Sequence, residues 1–102
     1  MLSRERIVEL FRELDRELGR AGQVGEVGII GGAVMCLVYN ARESTRDVDA
    51  IFEPAAVIRQ LAARIGQAAG LPGDWLNDAA KGFVQAGFAR QDVLNLPHLR
   101  VW

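Results

Sequence analysis

The run from Val24 to Phe52 alternates two hydrophobic periods that no single element satisfies. VGEVGII is short, rich in β-branched residues and bounded by glycine, which is the pattern of a buried strand. Gly31 and Gly32 interrupt it, AVMCLVYN follows as a mostly buried helix, and RDVDAIF returns to a strand pattern. Strand, glycine turn, helix and strand in that order restrict the chain to an α/β layer arrangement.

The flanking segments extend this scheme. Residues 3–18 place Ile7, Leu10, Phe11, Leu14 and Leu18 on one helical face, with Arg, Glu and Asp on a solvated opposite face. Ser3 is placed to cap the first turn, Leu2 and Ile7 to staple it, and Gly19 to end it. Pro54 suits the first turn of a third helix that buries Val57, Ile58, Leu61, Ala62 and Ile65 and stops at Gly70 before Pro72. DWLNDAAKGFV reads as a shorter helix capped by Asp74, and Leu99–Trp102 as a last strand, either at a sheet edge or cut inside a larger protein. The expected fold is α/β, a small mixed sheet flanked by helices, in a single domain over residues 1–102.

Composition removes several function classes. With 13 acidic against 12 basic residues, a strongly basic nucleic-acid binder is not indicated. One cysteine, Cys36, permits no internal disulfide and fits a reducing cytoplasm. No apolar run approaches the ~20 residues of a bilayer span, and MLSRERIVELF is too charged for a signal peptide core. A soluble cytoplasmic domain is expected. Met35 and Cys36 read as core fillers, His98 beside Pro97 as a loop histidine, and Tyr39 as a core aromatic with its hydroxyl at the rim.

The chemistry concentrates in two places. A strand that turns through Gly31-Gly32 into a helix lets the backbone approach a ligand closely, and the helix start offers unpaired N–H groups that favour phosphate. On a strand, Asp47 and Asp49 point to the same side, roughly 6–7 Å apart, and repel each other unless a hard divalent cation such as Mg²⁺ or Mn²⁺ lies between them. The alternative is a tight turn followed by two solvated aspartates.

Gly31-Gly32, an apolar helix and Asp47-Val48-Asp49 resemble the glycine pair and paired aspartates of the polymerase-beta-like nucleotidyltransferase fold. With STRDVDAIFEP and DWLNDAAKG added, the stretch from about Ile29 to Val84 resembles a bacterial nucleotidyltransferase-like family associated with toxin–antitoxin systems. The resemblance implies a minimal nucleotidyltransferase fold in which Gly31 and Gly32 cradle a nucleoside triphosphate and Asp47 and Asp49 are the catalytic, Mg²⁺- or Mn²⁺-binding pair. Thr45 and Arg46 join the nucleotide-binding set, and Arg46 and Arg42 either pair with phosphate oxygens or stay solvated. The implied reaction moves a nucleoside monophosphate onto a protein or RNA hydroxyl, with a cognate toxin or antitoxin as partner and oligomers allowed. A third carboxylate, usual in active members, has no good candidate: Glu53 lies too far along the strand, Asp92 is unplaced, and LRVW has no acid. The alternative is therefore an inactive nucleotide-binding or partner-binding module of the same fold. Asn77 and Asp78 either face the cleft or orient a short helix, and Lys81 either reaches a phosphate or is a surface lysine.

Overall fold

The computed structural model describes residues 1–30, 32–39, 44–78 and 92–102, with only the backbone of Gly32 and Met35. The chain runs β1 (Leu2–Ser3), α1 (Arg4–Arg20), β2 (Gly25–Ile30), α2 (Gly32–Leu37), β3 (Ser44–Thr45), β4 (Val48–Glu53), α3 (Ala55–Ala68), β5 (Leu76–Asn77), β6 (Leu94–Asn95) and β7 (Leu99–Val101). It is a mixed α/β structure: a five-stranded sheet in the order β5-β4-β2-β7-β6, plus a two-stranded β1-β3 ladder. β2 pairs antiparallel with β4 and parallel with β7, while β5 joins β4 in parallel and β6 joins β7 antiparallel. The radius of gyration, 12.5 Å, matches the ~13 Å of a compact domain of about 100 residues.

Helix α1 forms where the period-3.6 stripe predicts, and Ile7, Leu10, Phe11, Leu14 and Leu18 are all fully buried. The Ser3 hydroxyl accepts from the Arg6 amide at 3.1 Å, and Leu2 and Ile7 are buried on either side of that cap. Replacing Ser3 with alanine should cost about 1 kcal/mol, read as a lower urea midpoint with an unchanged slope.

The end of α1 differs from the expectation. The helix passes Gly19 and closes around Gly22 at φ 68, where the Gln23 amide donates to Leu18 O and the Gly22 amide to Gly19 O. These two bonds make a Schellman motif, which requires the left-handed residue at Gly22. Gly19 is needed for packing instead: a β-carbon there would stand 2.9 Å from His98 Nδ1. Helix α3 ends in the same way at Gly70, φ 75, as its sequence indicates. Of its expected apolar face, Val57 is only partly buried.

Both long helices cover one face of the sheet. Val27 and Ile29 of β2, Val48 and Ala50 of β4 and Leu99 and Val101 of β7 point to it and are buried. Gly25 lies on the same face because Leu18 of α1 and Ile58 of α3 both descend onto it, within 3.0 Å of where its β-carbon would be.

Three further expectations are corrected. Trp75–Asn77 does not begin a helix; Leu76–Asn77 is strand β5, and residues 79–84 of that segment lie outside the described residues. The reason is Trp75, whose Nε1 donates to Ala62 O at 2.7 Å while its own carbonyl accepts from the Val48 amide at 2.7 Å. This pins the backbone alongside β4. The last strand is not at an edge, because β7 lies between β2 and β6. Tyr39 is 66% exposed, because α2 ends at Leu37 and its core contacts are made by Ala33, Cys36 and Leu37. No helix among the described residues is long and apolar enough to cross a membrane.

Candidate functional site

Asp49 stands at the end of the sheet beside the residue that precedes Gly31-Gly32. Its antiparallel partner is Ile30, the residue before Gly31-Gly32, and its parallel partner on the other side is Asn77. Partners in register share a sheet face, so Asp49, Asn77 and Ile30 form one row on the face opposite the two long helices. Two chain segments distant in sequence thus bring an acid and an amide into the row of Ile30, the last residue of β2. Gly32 opens α2 there, while Gly31 and Arg42 lie outside the described residues. Helix α2 has six residues, shorter than AVMCLVYN implies, and so aligns fewer peptide dipoles toward its start.

Asp47 is not on the strand. It occupies a bend immediately before β4, and that bend is built by Thr45. Thr45 is 5% exposed and its hydroxyl donates to the Asp47 carbonyl at 3.1 Å, and β3 is tied to the chain start by Leu2↔Thr45 and Ser3↔Ser44. Thr45 is therefore engaged in positioning Asp47, whereas Arg46 is exposed.

The electrostatics of the bend are adverse for a carboxylate. Burial first, then the charges of Asp49 and Asp74, hold the Asp47 carboxyl above its ordinary value, and Arg46 opposes them. Asp74, read in the sequence only as a helix cap, is brought here because Trp75 bonds to Val48. The folded state therefore binds the Asp47 proton more tightly than the unfolded chain. Stability falls as pH rises from the ordinary carboxylate range through the raised value, and the ionised group opposes folding at neutral pH. Asp47→Asn should raise the melting temperature at pH 7, and the gain should vanish near ~pH 3, as calorimetry at the two pH values will register.

The other sequence candidates separate from this point. Glu53 pairs with Glu26 at the far end of β4. Asp92 is exposed beside β6, three strands away from β4 in the sheet order, or about 14 Å at the usual strand spacing. Asp78 bonds Arg59 of α3 at 2.6 Å, which ties β5 to the helix layer. Lys81 lies outside the described residues. His98 sits in the loop before β7, and its amide donates to Asp15 Oδ1 at 2.6 Å.

Among the described residues, no group of three His, Cys, Asp or Glu side chains is arranged to hold a metal ion. Asp47 and Asp49, close enough for the charge of one to raise the pKa of the other, are the carboxylates here that could hold Mg²⁺. That ion is commonly held by one or two carboxylates, with substrate phosphates and water filling its octahedron.

A scan against protein-family models and searches of curated proteins and of solved structures find no match to this chain.

Proposed function

We propose that this chain binds a nucleoside triphosphate at the Asp47–Asp49 end of the sheet and transfers its nucleoside monophosphate to a hydroxyl of protein or RNA. The observation that carries the reading is the register of β2 and β4, which sets Asp49 opposite the residue that leads into the glycine pair. The burial of Asp47, with the charges of Asp49 and Asp74 beside it, supports it, because a carboxylate that is costly to ionise there is relieved by a bound cation.

In this reading Asp47 and Asp49 would hold Mg²⁺ or Mn²⁺. The cation would neutralise the triphosphate and stabilise charge on the attacking and leaving oxygens. Thr45 fixes the bend that aims Asp47, and Arg46 adds positive charge beside the phosphates. By the family resemblance Gly31 and Gly32 would cradle the triphosphate, since glycine lets a backbone approach a ligand closely. The acceptor hydroxyl attacks the α-phosphorus and gives up its proton to water, the bond from the α-phosphorus to the bridging oxygen breaks, and pyrophosphate leaves. By the same family resemblance, the protein acts in a bacterial cytoplasm as one partner of a toxin–antitoxin pair.

One observation favours a second reading, a nucleotide-binding or partner-binding module without turnover. Glu53 lies at the far end of β4 and Asp92 beside β6, so neither joins the aspartate pair. Isothermal titration with ATP, GTP, CTP and UTP, with and without Mg²⁺, tests the shared premise. Pyrophosphate release then separates enzyme from module. Absence of metal-dependent binding to every triphosphate would sink both.

A further inference from the structure

The sheet face opposite the two long helices carries a track leading away from the aspartates. Its first row is Asn77, Asp49 and Ile30. Two residues along, Ile51 lies opposite Gly28, and the register of β7 carries Trp102 to the other side of Gly28. Two residues further stand Glu53, Glu26 and Arg100. Successive rows are about 7 Å apart.

Gly28 is small for a reason. A β-carbon there would stand 2.7–2.9 Å from the Cη2, Cζ2 and Cζ3 atoms of Trp102, so the indole lies across the strand toward Ile51 and stays partly exposed. Beside it opens a cavity of about 110 Å³ lined by Glu26, Ile51, Phe52, Glu53 and Trp102. An aromatic surface thus flanks two carboxylates one row beyond the aspartate end.

We propose that this cavity is the base subsite of the nucleotide site, an inference that rests on the nucleotide reading above. The triphosphate lies at the first row, the base packs on Trp102 and Ile51 in the second, and its polar edge meets Glu26 and Glu53 in the third. Stacking on an indole is tolerant of base identity, so selection falls to the carboxylates. A carboxylate only accepts hydrogen bonds. Guanine, whose ring N–H and amino group are adjacent donors, is preferred; adenine and cytosine, with an amino group beside an acceptor nitrogen, follow. Uracil, with one N–H flanked by two carbonyls, is disfavoured.

The test follows the indole N–H signals of Trp102 and Trp75 by ¹H–¹⁵N NMR while guanosine, adenosine, cytidine and uridine, then the four triphosphates with Mg²⁺, are added. Trp75 is buried on the opposite side of the sheet, with Nε1 bonded to Ala62, and serves as the internal control. The Trp102 signal should move and the Trp75 signal should not. GTP should bind at least about tenfold tighter than UTP, and Glu53→Gln, at an exposed position, should reduce that ratio while Mg²⁺ dependence persists. Trp102→Ala should weaken all four nucleosides alike; if it fails to fold, Glu53→Gln alone decides. Triphosphate–Mg²⁺ binding that leaves Trp102 unmoved and is equal for GTP and UTP overturns the subsite but not the phosphate site. Nucleosides that shift Trp102 with guanosine favoured, without metal-dependent triphosphate binding, uphold the subsite and overturn the phosphate reading. No binding of either kind overturns both.

Discussion

Truncating Trp75 to alanine is expected to lower stability by about 3–5 kcal/mol, a large share of the ~5–15 kcal/mol that holds a domain folded. The indole is 1% exposed, its ring centroid lies 6.2 Å from that of Phe11 at a tilted angle, and its Nε1 is satisfied by Ala62 O at 2.7 Å. Removing it leaves a cavity and deletes the bond that ties α3 to the segment before β5. The companion change is Gly66→Ala. Alanine in a helix interior ordinarily gains about 1 kcal/mol over glycine, but here the new methyl would stand 2.5 Å from Trp75 Cδ1 and 3.0 Å from Pro72 O. Overpacking of about 1–3 kcal/mol should outweigh the gain. Urea unfolding of both variants checks the claim; a loss under about 1 kcal/mol for Trp75→Ala would mean that Trp75 does not anchor the third helix to the sheet. The consequence reaches the site, because Trp75 also accepts from Val48 and so carries Asp74 to the bend at Asp47.

Asp49→Asn should reduce Mg²⁺-dependent triphosphate binding on the order of a hundredfold with little change in fold. The amide keeps the shape of the carboxylate and its place opposite Ile30, but it removes the charge that a hard cation needs. Asp47→Asn should weaken binding similarly while stabilising the free protein, and this combination marks a charge retained at a cost to stability. Asp92→Asn, beside the outermost strand, should bind as the wild type does. Equal affinities across all four proteins, measured by titration calorimetry, would rule out the aspartate pair as the metal-binding group.

How much of this was legible in the linear chain depends on the range of the interactions involved. Helix α1, its Ser3 cap and the Gly70 stop are decided by contacts within a turn or two, and the sequence alone states them. The same holds for β2, a short glycine-bounded run rich in β-branched residues, and for β4, whose strand pattern is carried by its own residues. Elements of two residues, such as β1, β3, β5 and β6, carry no period of their own. They exist because a neighbouring strand supplies their hydrogen bonds.

Residues 74–77 show the difference most directly. Local propensity favours a capped helix there, and one long-range anchor, an indole fitted against Gly66, turns the backbone into a strand. Asp74 acquires its place near Asp47 by the same event, which no local pattern encodes. Asp47 and Asp49 announce themselves by spacing, but their relation to the glycine pair is a matter of register between β2 and β4. The row from Ile51 across Gly28 to Trp102 needs a third strand from the far end of the chain. Short-range chemistry in the sequence determined which segments would be helix or long strand and which residues could carry charge to a ligand. Only tertiary pairing decided which of them meet, because strand register and the seating of one large side chain are settled by partners that lie tens of residues away.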